Sequence, residues 1–172
     1  MKNPFHVSEI REAQGELRGT PDKIKAFENA FQELRPARHL ETINEKLEGQ
    51  CHSETGVKFE KHSFVLGEER VEGVFPVFES KFDTALPREL YQASDAVQFK
   101  CCTEQLKDQI ARNPAMEKQF SPRQLEQIRD GAPRISGLTW HHNELPGKMQ
   151  LVNAEIHAKT AHIGGRSLWA CE

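Results

Sequence analysis

The chain has 172 residues, 37% hydrophobic and 28% charged, with a formal net charge of −3, enough to bury one globular core. No apolar run approaches the roughly 18 residues of a membrane span, and Met1-Lys-Asn-Pro-Phe5 lacks the apolar centre of a secretory signal, so neither an integral membrane protein nor a signal-led export is expected. Cys51, Cys101, Cys102 and Cys171 show no Cys-x-x-Cys spacing, which argues against a zinc ribbon or a disulfide framework.

In chain order, residues 8–34 carry apolar positions at helical spacing, among them Ile24, Phe27, Phe31 and Leu34, with Thr20-Pro21 as a helix start and Pro36 as its stop. Residues 39–47 allow a further short helix. Residues 1–50 thus read as a helical N-terminal extension to a domain over 51–172, or as part of one continuous domain. His6, His39 and His52 stand alone and read as ordinary surface or core histidines.

Residues 57–66 alternate, Gly67-Glu-Glu-Arg70 can turn the chain, and residues 71–78 return it: a β-hairpin, with Pro76 restricting its strand to an edge or bulge. His62 lies inside it with nothing in the sequence to select it. Ser94-Asp95 starts a helix to about Arg112, with an apolar stripe of Val97, Cys101, Leu106 and Ile110. Ser121-Pro-Arg-Gln124 has capping-box spacing for a second helix that Gly131 can stop. The charged faces of these helices read as solvated.

The C-terminal part is different in kind. Four of the eight histidines, His141, His142, His157 and His162, fall in the last 32 residues. Residues 138–142 and 148–152 read as two strands around the turn residues Asn143-Glu-Leu-Pro-Gly147. Asn153 then caps a helix over residues 154–161, with Gly164-Gly165 stopping it. In a strand, neighbours point to opposite faces, so His141 and His142 serve different partners: one can hold a metal while the other acts beside it. Imidazole is both the commonest transition-metal ligand and the usual base near neutral pH. From Arg134 onward four cations face three carboxylates, a locally basic segment on an acidic chain. Trp140 and Trp169 read as core.

Trp140-His141-His142, Gly147-Lys-Met-Gln-Leu-Val152, Ile156-His157 and His162-Ile-Gly-Gly165 resemble the WHH branch of the HNH/endonuclease VII nuclease superfamily, found as nuclease domains of bacterial polymorphic toxins. Gly73-Val-Phe-Pro-Val-Phe78, Leu90-Tyr-Gln-Ala-Ser-Asp95 and the segment from Gln98 to Lys107 share that likeness, which runs from about Gly56 to the C-terminus. The resemblance implies an α+β fold closed by a C-terminal ββα-metal motif. It implies His142 as general base and His141 and His157 as ligands of one divalent ion (Mg²⁺, Mn²⁺, Ni²⁺ or Zn²⁺), with His162 as the third ligand. His157 and His162 are five apart, which on a continuous helix turns them about 140° from one another. The helix must therefore end or tighten before His162, or the third ligand lies elsewhere. The superfamily's asparagine has no counterpart: Lys148 stands near its place, Asn153 reads as a cap, and the orientation of His142 is left open. Arg134, Arg166 and Lys148 are candidate phosphate contacts, the two arginines at even odds with surface ion pairing.

The expected function is a metal-dependent endonuclease, a DNase acting as an antibacterial toxin in the cytoplasm of a target cell and blocked by a cognate immunity protein. An RNase on the same scaffold differs only in substrate. A noncatalytic zinc module is the alternative of a different class, though closed structural zinc sites usually include cysteine, and only Cys171 is near.

Overall fold

The computed structural model describes residues 36–170. The helix expected over 8–34 lies outside them, as do His6 and Cys171. The chain divides after Ala37, and every described element belongs to the unit Arg38–Glu172. It is an α+β structure with two three-stranded sheets.

The first sheet is the expected hairpin, β2 (Lys58–Leu66) and β3 (Glu69–Val77), antiparallel in unbroken register from Lys58↔Val77 to Leu66↔Glu69. Gly67 at φ 60° makes the turn, a conformation that costs glycine little. The short helix allowed at 39–47 is instead a two-residue strand, β1 (Arg38–His39), followed by a 3-10 turn at Glu45–Leu47. The Leu40 amide donates to Glu72 O at 2.7 Å, extending the pairing of this segment with the β3 edge. Since β1 pairs only with Val71 and Glu72, β3 has one neighbour at Pro76, and the missing amide costs no ladder bond there.

The second sheet has the order β4 (Ser80–Ala85), β6 (Lys148–Asn153), β5 (Leu138–His142). The β5–β6 hairpin is the one read from the sequence. Strand β4 is not: Ser-Lys-Phe-Asp-Thr-Ala carries one large apolar residue, and its place comes from backbone pairing with β6.

Helix α1 (Asp95–Arg112) and helix α2 (Pro122–Arg129) have the expected bounds, and α2 starts on a complete capping box between Ser121 and Gln124. The buried face of α1 is Gln98, Cys102, Thr103, Leu106 and Ile110, so the expected Val97 and Cys101 are displaced by one position and Val97 is exposed. Both buried polar residues are satisfied. Gln98 donates to the carbonyls of Leu90 and Tyr91, and Thr103 Oγ1 donates to Phe99 O and accepts from Trp140 Nε1.

The main core joins α1 to one face of the second sheet through Cys102, Leu106, Ile110, Leu138, Trp140, Met149, Leu151 and Trp169. On the other face Val152 packs with Val57 and Phe78. Cross-strand pairing then orients the two histidines. His142 lies opposite Met149, on the α1 side, and His141 lies opposite Gln150, on the Phe78 side.

Candidate metal centre and its flanks

After β6 the chain enters helix α3 (Ala154–Lys159), capped as expected by Asn153, whose Oδ1 accepts from the amides of Glu155 and Ile156 at 3.0 Å each. The helix ends at Thr160, before the glycine pair. Thr160 is 1% exposed; its Oγ1 lies 2.8 Å from both Ile156 O and Thr55 Oγ1, and its carbonyl accepts from His162 Nδ1 at 2.7 Å. Ending there frees His162 from helical geometry, which removes the five-residue spacing problem.

His141, His157 and His162 consequently converge, with one nitrogen of each lying within 4.8 Å of the others. Phe78 packs against all three rings, with centroid distances of 4.8, 5.3 and 5.3 Å. A carbonyl oxygen can only accept, so His162 Nδ1 carries a proton and Nε2 is its available lone pair. His141 Nδ1 and His157 Nε2 are 3.2 Å apart; two nitrogens bound to one tetrahedral ion at about 2.05 Å would be about 3.3 Å apart. His141 is 3% exposed and its Nε2 has no hydrogen-bond partner. Burial, then the proximity of His162, His157 and His142, pushes His141 down to about 2, and burial first brings His157 to about 4 and lowers His162. Three neutral imidazoles around one point fit a divalent cation. Among the described residues no cysteine or carboxylate joins this cluster.

His142 sits across β5 from the triad. Its ring packs between Phe99 and Trp169 at centroid distances of 5.6 and 5.7 Å, and its Nε2 is 2.7 Å from Gln98 Oε1. Gln98 Nε2 already donates to Leu90 O and Tyr91 O, both at 2.8 Å, which sets the amide's orientation. Its Oε1 therefore accepts, His142 Nε2 carries the proton, and the lone pair is on Nδ1. Burial lowers His142 to about 4, and it lies close enough to the triad for its charge to depress His141 and His157 further.

The three candidate phosphate contacts are not gathered at one point. Lys148 lines a cavity beside the triad and pairs with Asp83 at 3.4 Å. Arg166 is tied to Asp95, to Ala93 O at 2.9 Å and to Gln98 Oε1 at 3.4 Å. Arg134 lines a separate cavity with Phe99, Leu138 and Trp140. The two tryptophans are core, as expected: Trp140 is 3% and Trp169 0% exposed.

Sequence reading missed three participants. Phe78 ends a segment that carries the family likeness, but nothing there indicated a ring under the histidines. Gln98 reads as a polar helix residue until its burial is known. His62 forms a pair with Glu144, Nδ1 to Oε1 at 2.5 Å, across 82 positions of sequence.

A strand, turn, strand and helix bring three histidines to one point, a ββα arrangement compatible with a metal ion. The family model for the DNase/tRNase domain of colicin-like bacteriocin matches residues 67–164, more than half of the chain, and the chain belongs to that family. It is a nuclease toxin domain, and nucleic acid is its substrate. Neither the comparison with curated proteins nor that with solved structures gives a match.

Proposed function

We infer that the protein is a divalent-metal-dependent endonuclease of the HNH type, in its WHH branch, that hydrolyses DNA. The observation that carries this reading is the convergence of His141, His157 and His162, with His141 buried and its Nδ1 3.2 Å from His157 Nε2. A bound divalent ion would polarise the phosphate and stabilise the charge that develops as the phosphodiester bond breaks. His141, His157 and His162 would hold that ion, and Phe78 covers their rings on one side. His142 acts as the general base: Gln98 holds the Nε2 proton, so Nδ1 takes the proton from the attacking water. Lys148, beside the triad, is the best placed of the proposed phosphate contacts; Arg166 would have to leave its present partners, and Arg134, in a separate cavity, would serve more distant phosphates.

The family description also covers tRNases, which favours RNA hydrolysis as a second reading. As a toxin domain the protein acts in the cytoplasm of a target cell, and an immunity protein of complementary charge protects the producer. No helix among the described residues is long and apolar enough to cross a membrane.

Incubating the protein with supercoiled plasmid, and separately with total RNA, in Mg²⁺, Mn²⁺, Ni²⁺ or Zn²⁺ and in EDTA, tests this reading. Plasmid nicking that EDTA abolishes is the expected result. Intact plasmid with every metal at micromolar protein rules out the DNase reading, and degraded RNA beside intact plasmid selects the second. Binding of zinc with neither substrate cut selects the noncatalytic module.

A further inference from the structure

On the Phe78 side of the triad, a cavity of about 390 Å³ is lined by His62, Phe78, Asn143, Glu144, Lys148 and Gln150, among others. Phe78 is a wall common to this cavity and the three histidine rings. Glu144, in the β5–β6 turn, is 5% exposed. A carboxylate so far from water needs a charged or strongly donating partner. That partner is His62 on β2, whose Nδ1 lies 2.5 Å from Glu144 Oε1. An ionised carboxylate only accepts, so His62 Nδ1 carries a proton and the reactive nitrogen is Nε2. His62 Nε2 stands 3.7 Å from Glu60 Oε2, beyond hydrogen-bond reach, and the ring lies nearly parallel to Phe75. A carboxylate holding Nδ1 while Nε2 is left to work is the arrangement that orients imidazole for proton transfer. Glu144, and more weakly Glu60, raise the pKa of His62 against the opposing effect of burial, which favours the protonated ring with Nε2 as a donor.

In-line displacement at phosphorus places the attacking water and the leaving oxygen on opposite sides. Two imidazoles flank the triad on different sides: His142 on the α1 face of β5, and His62 on β2 in the cavity that shares Phe78 with the triad. Resting on the nuclease reading above, we propose that His62, oriented by Glu144, is the catalytic proton donor to the departing 3′ oxygen. As the water oxygen bonds to phosphorus and its proton passes to His142, the bond from phosphorus to the 3′ oxygen breaks with its electron pair on that oxygen. The Nε2 proton of His62 then goes to it, and solvent restores the proton afterwards. His62 lies outside the segment that matches the family model, residues 67–164, so this donor is supplied by the strand that precedes that segment.

The test compares two bonds of different leaving ability in the same oligonucleotide: the natural 3′ oxygen, and a 3′-bridging sulfur that departs as thiolate without needing a proton. His62→Gln should slow cleavage at oxygen by at least about 10²-fold while cleaving at sulfur within about threefold of wild type, as removal of a general acid requires. Glu144→Gln, a positioning variant of nearly unchanged shape, should show a smaller loss with the same dependence on the leaving atom. A zinc titration and a thermal melt of each variant check that triad and fold are intact. If His62→Gln folds poorly, the Glu144→Gln comparison still decides. Equal losses at oxygen and sulfur, or no loss at either, overturn the proposal. A wild-type protein that cuts neither bond overturns the nuclease reading itself.

Discussion

Burying an imidazole costs free energy unless both ring nitrogens are used, and in the 3% exposed His141 Nδ1 faces His157 while Nε2 is without a partner. His142 is the opposite case, with its polar edge satisfied by Gln98. A direct check is the ¹⁵N spectrum of the ring at neutral pH: His142 should be the Nε2–H tautomer, and Gln98→Leu should release it to a mixture. An Nδ1–H tautomer in the wild type would contradict the assignment of Nδ1 as the base. At this scale the sequence showed what was dense and not what was distant. Four histidines in 32 residues stand out by number, and strand alternation already separates His141 from His142. Gln98 acquires its meaning 44 positions away from His142, and Glu144 acquires its own 82 positions away from His62, so neither leaves a local pattern.

Short elements set the geometry here, and each depends on one or two polar contacts. Helix α3 has six residues, too few to be stable by itself. Asn153→Ala removes both cap hydrogen bonds and should cost about 1 kcal/mol of stability. Because His157 rides on α3, metal affinity should weaken as well; unchanged affinity and melting temperature would show that the cap is dispensable. The last helical turn, α4 (Arg166–Trp169), is docked more tightly. A Cβ on Gly165 would lie 1.7 Å from Asn143 O, and Trp169 Nε1 donates to that same carbonyl at 2.9 Å. Gly165→Ala should displace the turn and lower the thermal midpoint, measurable by circular dichroism, whereas Gly164→Ala, with open space at its Cβ, should not. The caps at Ser121 and Asn153, the ends of α1 and α2 and the hairpin turns were legible because their signals are local, whereas the end of α3 at Thr160, ahead of the glycine pair, was not. Strand β4 and the true buried face of α1 were not, because partners remote in sequence decide both.

For the molecule as a whole, the depressed histidines make stability depend on pH. His141, His142, His157 and His162 all titrate below the ordinary value near 6.5 when folded, chiefly through burial. Their contribution is therefore complete above about pH 6.5. It is lost as pH falls toward the folded values, because the unfolded chain then binds protons that the folded chain refuses. His62, raised by Glu144, acts in the other direction: its contribution is complete below its unfolded pKa and is lost as pH rises through the folded one. With four groups against one, urea unfolding of the metal-free protein should show a lower midpoint at pH 5 than at pH 7. Each histidine protonated only in the unfolded chain adds a slope of about 1.4 kcal/mol per pH unit. A midpoint that is flat or rises on acidification would contradict the buried neutral triad.

The central claim is that the ion and the attacking water are served by different histidines on one strand. Calorimetric titration of zinc into wild type, His141→Ala and His142→Ala, paired with a plasmid-nicking time course of each, tests it most directly. His141→Ala should lose both metal affinity and cleavage. His142→Ala should bind zinc as the wild type does while cleaving at least about 10²-fold more slowly, the share of a general base. Metal binding abolished in His142→Ala and intact in His141→Ala would reverse the roles, and wild-type cleavage by both variants would place the active site elsewhere.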